Sequence, residues 1–263
     1  MKKNNLSKDI DYDISQLLEI MKRLRDECPW DAIQTHQTLK QYLLEESYEV
    51  LESIDNEDWS MLSSELGDLL LQIVFHCEIA SRAGNFEFIN VVDKISKKLV
   101  DRHPHVFGDK KLHGAKGVQE NWEHSKLLNE NRKSILSGIP KIAPALLQAQ
   151  RLQEKAATVG FDWDNIKPVI EKIDEEWQEF KDAMNRKDHK EMEQELGDIF
   201  FSFVNLGRLS GIISEDALRL TNNKFIKRFK YIEQQYDTDP KVMKKQTLDN
   251  LDKHWNDAKK LEK

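Results

Sequence analysis

The chain has 263 residues, enough for one large domain or two ordinary ones, with only 10 Gly and 6 Pro beside 39% apolar and 33% charged residues. This composition is typical of a globular, largely helical protein and disfavours a β-rich or disordered one. The formal net charge of -7 disfavours a protein that binds nucleic acid mainly through electrostatics, so we expect no nucleic-acid partner.

The sequence also disfavours a membrane or secretory protein. No apolar run approaches the roughly 18 to 20 residues that a membrane span needs. The basic start, "MKKNNLSKDIDYD", is not followed by an apolar signal core. Cys28 and Cys77 are too few for a disulfide framework. We therefore expect a cytoplasmic protein without a membrane partner.

Helical spacing of apolar residues predicts two consecutive helices in the first half of the chain. The segment "IDNEDWS" (54–60) predicts a short turn between them. The second helix is predicted to end at Gly84, and another runs from about Phe88 to Val100. The apolar positions of the first two helices are Leu43, Leu44, Val50, Leu51 and Ile54, and then Leu62, Leu66, Leu69, Leu70 and Ile73.

Two acidic motifs of this half recur 130 residues later. "EESYE" (45–49) returns as "EEWQE" (175–179), and "ELGD" (65–68) returns as "ELGD" (195–198). In the second half "DHKE" (188–191) predicts a capping box that opens the second acidic helix. Self-similarity on this scale predicts two domains of the same fold.

The duplication predicts an all-α protein of two tandem helical-bundle domains, with about four helices each and no substantial sheet. Gly138, Pro140 and Pro144 interrupt helical periodicity between the two copies. Each copy then has an ordinary domain size. We place the N-terminal domain at residues 1–124, the linker at 125–144 and the C-terminal domain at 145–263.

Each half carries four carboxylates on two neighbouring helices. Residues three apart differ by about 60° around a helix axis, so Glu46 and Glu49 share one face. Glu65 and Asp68 do the same on the next helix, and a short turn lets the two pairs converge. Converging carboxylates need a compensating charge, which a divalent cation supplies. The equivalent set in the second half is Glu176, Glu179, Glu195 and Asp198.

Oxygen ligands suit Mg²⁺, Mn²⁺ or Ca²⁺, and a Mg²⁺ site is commonly completed by substrate phosphates. A di-iron carboxylate bundle is the strongest competitor, but such bundles use Glu-x-x-His motifs. None of the eight His residues has Glu three positions before it. An EF-hand is disfavoured because the sequence has no Asp-rich loop with the glycine that this motif requires. A solvated acidic helix face is the plain alternative, which the repeated spacing disfavours.

Gly67 and Gly197 lie between presumed ligands in the two "ELGD" motifs. Glycine inside a helix costs about 0.5–1 kcal/mol relative to alanine. We therefore expect a partner helix to approach closely at these positions.

With these motifs the chain resembles the MazG family of nucleoside triphosphate pyrophosphohydrolases in its two-domain form. The resemblance implies an all-α, intertwined homodimer that converts NTPs, canonical or damaged, to NMP and pyrophosphate with Mg²⁺, or with Mn²⁺ in its place. The matching segments are "CPWDAIQTHQTLKQYLLEESYEV" (28–50), "ELGDLL" (65–70), "VGFDW" (159–163), "EEWQE" (175–179), "ELGDIFF" (195–201) and "NNKFIKRF" (222–229).

The resemblance also implies which residues form the site. The family's metal signature falls on Glu176, Glu179, Glu195 and Asp198, and again, as a second and weaker site, on Glu46, Glu49, Glu65 and Asp68. The catalytic set is then Glu175, Glu176, Glu179, Glu195 and Asp198, with Glu175 as a candidate for orienting the attacking water. The substrate-binding set is Lys155, Lys224, Arg228 and Trp255.

Lys224 and Arg228 are four apart on a predicted helix and could grip phosphate oxygens, whereas Trp255 could stack on a base. Ordinary surface cations and a core tryptophan are the alternatives. The second half has Asn223 and Arg228 where the first has Asp93 and Lys98. An Asp would repel phosphates and Lys lacks the bidentate fork of Arg, so we rank the C-terminal site first.

The main alternatives are a more selective dUTP-type or phosphoribosyl-ATP pyrophosphohydrolase, and a non-catalytic nucleotide-binding module. The preferred base and sugar, the number of metal ions and the general base all stay open.

Overall fold

A computed structural model describes residues 12–109, 114 and 134–261, and every regular element in these ranges is a helix. The predicted all-α class is therefore confirmed. The chain divides into two compact units, Met1–Leu112 and His113–Lys263. Part of the predicted linker, residues 125–133, lies outside the described residues, and the boundaries 1–124, 125–144 and 145–263 stay a prediction.

Over residues 12–109 the first unit contains four longer helices of 14 to 24 residues and two short ones. This agrees with the expectation of about four helices per half. In chain order they are α1 (Ile14–Glu27), α2 (Pro29–Ile33), α3 (Lys40–Asp55), α4 (Trp59–Arg82), α5 (Phe88–Arg102) and α6 (Pro104–Phe107).

Helices α3 and α4 form a hairpin that is closed by a cap. Asp58 is the N-cap of α4, and its carboxylate accepts a hydrogen bond from the backbone N–H of Met61 at 2.9 Å. The turn also uses Glu57 in a left-handed conformation, with φ 53°. The core beside this hairpin contains Met21 and Phe75, both almost fully buried. The predicted turn at 54–60 is therefore confirmed.

The described part of the second unit contains five longer helices of 13 to 21 residues and one short one. The count is thus one above the expected four. In chain order they are α7 (Ala145–Ala157), α8 (Lys167–Arg186), α9 (His189–Leu209), α10 (Ser214–Gln234), α11 (Pro240–Met243) and α12 (Leu248–Leu261). Helix α9 packs against α7, α8 and α10, and α12 packs against α10.

The α8–α9 hairpin turns at Lys187, which is left-handed with φ 55°, and α9 begins after Asp188. The Asp188 carboxylate accepts hydrogen bonds from the backbone N–H groups of Lys190 and Glu191, each at 3.1 Å. The reciprocal half of the predicted capping box is not made, because the Glu191 side chain pairs with Arg186 instead. The predicted start of α9 is therefore confirmed, and the predicted capping role of the Glu191 side chain is wrong.

The expected close approach at the two helical glycines is also wrong for this chain. A Cβ atom built on Gly67 or Gly197 would meet nothing within 4 Å among the described residues. The backbone there is open, so packing within the chain does not explain either glycine.

Taken singly, no helix of the described ranges is both long and apolar enough to cross a membrane. The pair α9 and α10 passes the same length and composition test, but the two helices are bent by 103° at the break between them.

Candidate metal centre and its surroundings

The α8–α9 hairpin brings three predicted ligands together. Glu176 and Glu179 lie one turn apart on α8, and Glu195 lies on α9. Each of the three offers one carboxylate oxygen, and these oxygens lie within 4.8 Å of one another. Glu176 is 5% exposed, although carboxylates are rarely buried without a partner. The hairpin therefore concentrates negative charge at a partly buried point.

Asp198, the fourth predicted ligand, is not among the oxygens within this distance. It is close enough to contribute to the electrostatics of Glu195. Partial burial raises the pKa of Glu195, and the nearby carboxylates of Glu179, Glu176 and Asp198 raise it further. Both effects disfavour the ionised form of Glu195.

The first unit repeats this arrangement on α3 and α4. One carboxylate oxygen each of Glu46, Glu49 and Glu65 lies within 4.8 Å of the others, and again the aspartate, Asp68, is outside the group. Partial burial and then the charge of Glu49 raise the pKa values of Glu46 and Glu65. The sequence predicted both groups of carboxylates. Asp198 and Asp68 lie outside the close clusters, and their role as ligands stays a prediction.

Lys172 supplies a positive charge that the sequence reasoning missed. Its Nζ lies 2.7 Å from Glu176 Oε1 and 2.9 Å from Glu175 Oε1. Hydrogen bonds to Glu176 and then Glu175 raise the pKa of Lys172. The i,i+4 spacing from Lys172 to Glu176 was the available signal. The residue 130 positions earlier is Tyr42, so the first half has no cation at this point.

The predicted phosphate-binding side chains lie on other helices of the second unit. Arg228 on α10 has its guanidinium carbon 5.4 Å from the ring centroid of Trp255 on α12. Phe225 lies one turn before Arg228 and also contacts Trp255, with ring centroids 5.1 Å apart. Lys224 is exposed on α10, whereas Lys155 is buried on α7. Arg228 and Trp255 therefore form one group, and the carboxylates of α8 and α9 form another.

The donor set of the carboxylate clusters is chemically suited to a hard cation. All close donors are carboxylate oxygens, which Mg²⁺ and Mn²⁺ prefer over the nitrogen and sulfur ligands of softer metals. Burial and then the neighbouring carboxylates raise the pKa of Glu195, and a bound cation would offset both effects. The residues present thus fit a divalent metal site.

Comparison with known proteins gives one family. The model of the MazG nucleotide pyrophosphohydrolase domain matches residues 34–107 and 165–232, one match in each half. These segments contain both pairs of acidic helices.

Two curated relatives match nearly the whole chain. A "Nucleoside triphosphate pyrophosphohydrolase/pyrophosphatase MazG" of Thermotoga maritima is 43% identical over 248 residues, which cover 93% of this chain and 94% of the relative. A "Nucleoside triphosphate pyrophosphohydrolase" of Escherichia coli K12 is 40% identical over 257 residues, covering 95% and 98%. A solved structure of a MazG-related protein from Thermotoga maritima covers 43% of this chain and 98% of its own, at 27% identity and a TM-score of 0.39.

Proposed function

Because this chain belongs to the MazG family of nucleotide pyrophosphohydrolases, we propose that it cleaves nucleoside triphosphates between the α- and β-phosphates. The products are a nucleoside monophosphate and pyrophosphate. The observation that carries the proposal is the cluster of Glu176, Glu179 and Glu195, whose carboxylate oxygens lie within 4.8 Å of one another. We further propose a broad, house-cleaning range of ribo- and deoxyribonucleotides.

The cofactor of the proposed reaction is Mg²⁺, with Mn²⁺ as a substitute. The three glutamates of the cluster would hold it, with Asp198 beside them. When bound, the metal would neutralise phosphate charge and favour ionisation of a water molecule. The hairpin holds these carboxylates on two packed helices, so little reorganisation is needed when a substrate arrives.

The C-terminal site is the main catalytic site in this proposal. Glu175 is exposed beside the cluster and, as a positioning group, would orient the attacking water. Lys224 and Arg228 would bind phosphate oxygens, and Trp255 supports Arg228 through the contact between the guanidinium and its ring. Lys155, buried on α7, is a weaker candidate for binding the phosphate oxygens.

The N-terminal cluster of Glu46, Glu49 and Glu65, with Asp68, is proposed as a second and weaker cation site. Its geometry resembles that of the first. It has Tyr42 in place of Lys172 and Asp93 in place of Asn223. Asp93 is thus a carboxylate at a position where the other half has a neutral amide, and it accepts a hydrogen bond from Lys97 at 2.8 Å.

We also propose that the enzyme is a cytoplasmic homodimer. Apolar side chains on α9 are exposed at helical spacing, namely Leu196, Phe200 and Phe203. Trp177 and Ile170 on α8 are exposed as well. Exposed apolar stripes of this kind are typical of surfaces that bind another protein, and a second copy of the chain is the occupant that the family implies. Cys28 and Cys77 are free thiols, which suits a reducing compartment.

An assay of released pyrophosphate and orthophosphate tests the proposed reaction. The full chain is incubated with ATP, GTP, CTP, UTP and their deoxy forms, with Mg²⁺, with Mn²⁺ and with a chelator. We expect pyrophosphate and monophosphate from several substrates, and no turnover with the chelator. Orthophosphate alone would refute the bond cleavage, turnover of one substrate would favour a selective enzyme, and binding without turnover would favour a non-catalytic module.

A further inference from the structure

Two histidines join the turn before α3 to helix α4 in the first unit. The Nδ1 atoms of His36 and His76 lie 2.8 Å apart. The two rings are nearly parallel, with an interplanar angle of 13°, and their centroids are 5.1 Å apart. This separation is close to the Nδ1–Nδ1 distance plus the radii of the two rings, so the two nitrogens point straight at each other and the rings meet edge to edge. We call these two residues the histidine pair.

The contact in the histidine pair depends on how many protons it holds. A hydrogen bond between two Nδ1 atoms needs one ring to donate an N–H and the other to accept with a lone pair. The bond can form with both rings neutral or with one ring protonated. With both rings protonated, two N–H groups and two positive charges would face each other at 2.8 Å. Both side chains are half-buried, so protons from solvent reach them. The closed pair therefore holds at most one added proton.

Ionisable groups on the surrounding helices have other partners or are neutral. Arg25 of α1 donates hydrogen bonds from Nη1 to two backbone carbonyls at the end of α2. Glu78 of α4 pairs with Arg82 of the same helix at 2.7 Å. Burial raises the pKa of the Cys77 thiol, which keeps this neighbour of His76 uncharged. Arg25 is thus a positive neighbour from α1, and it does not favour a second positive charge on the pair.

Helices α3 and α5, which also pack against α4, contribute aromatic rings to the core on this side. These are Tyr42 of α3 and Phe88 of α5, and both pack against the core that contains Phe75. Burial lowers the pKa of His76, and the charge of His36 lowers it further. The surroundings therefore favour the neutral form of His76.

The second unit has an apolar pair at the same two positions. The residues 130 positions after His36 and His76 are Ile166 and Leu206. Neither side chain titrates, so a response to pH at these positions is restricted to the first unit. The register between the units is supported by buried residues close to each position, namely Leu39 and Val74 in the first unit and Val169 and Val204 in the second.

We propose that the histidine pair is a pH-sensitive latch, which closes the turn before α3 onto α4 at neutral pH and opens when both rings are protonated. Helix α3 carries Glu46 and Glu49, so opening of the latch loosens the hairpin that holds the N-terminal carboxylate cluster. The second unit, with Ile166 and Leu206, keeps its hairpin closed over the same pH range. The inference goes beyond the proposed reaction and does not depend on it.

The direction and size of the pH effect follow from proton linkage. In an opened segment each histidine has the ordinary pKa of about 6.5. Below this pH the open segment holds one proton more than the closed pair. Uptake of one proton on opening changes the opening equilibrium by about tenfold per pH unit. The stability that the latch contributes is therefore present at neutral pH and is lost as the pH falls below about 6.5.

Hydrogen–deuterium exchange of the full chain tests the latch. The reporter is the backbone N–H of Leu39, which donates to the carbonyl of Thr35 at 3.2 Å. The internal reference is the N–H of Ile170, which donates to the carbonyl of Ile166 at 3.1 Å in the second unit. Exchange is followed by mass spectrometry and corrected for its intrinsic dependence on pH. Between about pH 6.5 and 5.5 we expect the opening equilibrium at Leu39 to rise about tenfold and that at Ile170 to change by less than about twofold.

Two variants separate the histidine pair from other groups that titrate. In His76→Gln the amide oxygen can accept the hydrogen bond of His36 in both of its protonation states, so the link is kept and the rise at Leu39 should be lost. The double variant His36→Ile with His76→Leu introduces the pair of the second unit and should lose the rise as well. The matched control is His189→Gln at the exposed first residue of α9, which should keep the full rise. Circular dichroism checks that each variant folds, and His76→Gln alone decides if the double variant does not fold.

Three outcomes would overturn the latch. Equal changes at Leu39 and Ile170 in the wild type would show that acid acts on both units alike. A rise at Leu39 that persists in His76→Gln would assign the response to another group. Loss of the rise in His189→Gln would separate it from the pair. None of these readouts uses pyrophosphate release, so a chain without that activity refutes the proposed function and leaves the test of the latch intact.

Discussion

Lys172 and a divalent cation would compete for the same oxygen. Glu176 is almost fully buried and accepts a hydrogen bond from Lys172 Nζ at 2.7 Å. A buried carboxylate without a positive partner is strongly destabilising, so Lys172 stabilises this side chain while no metal is bound. In the first half Glu46 is less buried and Tyr42 replaces the lysine. The two carboxylate clusters therefore have similar geometry, but only the C-terminal cluster has a lysine of its own helix at this position to offset its negative charge.

Replacing one glutamate in each cluster tests which copy catalyses. Glu179→Gln keeps the size of the side chain and removes its charge, and we expect kcat/KM for pyrophosphate release to fall by about 100-fold or more, since even the partners of metal ligands cost about 10–100-fold. The matched variant Glu49→Gln should stay close to wild type. Comparable losses from the two variants would contradict the ranking of the C-terminal site.

Removing the internal cation should strengthen metal binding in the absence of nucleotide. Lys172→Met frees Glu175 and Glu176 from the lysine, so we expect Mn²⁺ to bind the C-terminal cluster more tightly, as measured by titration calorimetry or electron paramagnetic resonance. Lys167→Met on the same helix is the control, because the Lys167 side chain is 83% exposed and lies 3.9 Å from Glu171. Weaker Mn²⁺ binding by Lys172→Met would show that the lysine supports the site instead of competing for it.

Local patterns predicted the acidic helix pairs well, because each hairpin depends on residues close in sequence. The cap at Asp58 and the start of α9 at Asp188 follow from side-chain acceptors at the turn. The contact between α7 and α9 could not be predicted in this way, because Gln153 and Phe201 are 48 residues apart and meet only through helix packing. The expected contact at Gly67 failed for a related reason, since glycine inside a helix does not say which element approaches it.

The open backbone at Gly67 leads to a prediction about stability. A Cβ atom there meets nothing within 4 Å in the described residues. Alanine should therefore improve the helix, and we expect Gly67→Ala to raise the free energy of unfolding by about 0.5–1 kcal/mol. Urea unfolding of the full chain measures the change, as a shift of the midpoint with no change in the dependence of the unfolding free energy on urea concentration.

Gly84, at the end of the same helix, provides the control for that measurement. Its φ of 70° is left-handed, so Gly84→Ala should destabilise the protein although its Cβ would also meet nothing within 4 Å. A loss of stability in Gly67→Ala would contradict the prediction and would indicate that a second copy of the chain covers this face of α4.

At the scale of the whole molecule, the duplicated sequence gives two helical hairpins that differ in the residues around their acidic clusters, one cluster in each hairpin. The first half has Phe75 in the position of Asn205 and Tyr42 in the position of Lys172. Each difference removes a polar side chain of the second half and leaves the carboxylates in place. Such a pattern is expected if one copy kept turnover while the other kept its cation site for stability. The repeat was visible in the sequence, whereas the filled position at Phe75 required the packed core.

The exposed apolar stripe of α9 gives a prediction about assembly. Leu196, Phe200 and Phe203 are 40%, 54% and 51% exposed and follow one another by four and three residues, so they line one side of the helix. Burying such a stripe between two copies would remove it from water, and we expect a mass of about 62 kDa by sedimentation equilibrium, twice the 30.9 kDa of one chain. Phe200→Asp should shift the equilibrium towards the monomer, because a carboxylate would have to be desolvated in the interface.

Lys190→Asp adds a carboxylate at an exposed position in the first turn of the same helix, away from the stripe, and should leave the mass unchanged. A wild-type chain that sediments as a monomer would contradict the homodimer, and a dimer that Phe200→Asp does not weaken would move the interface away from α9.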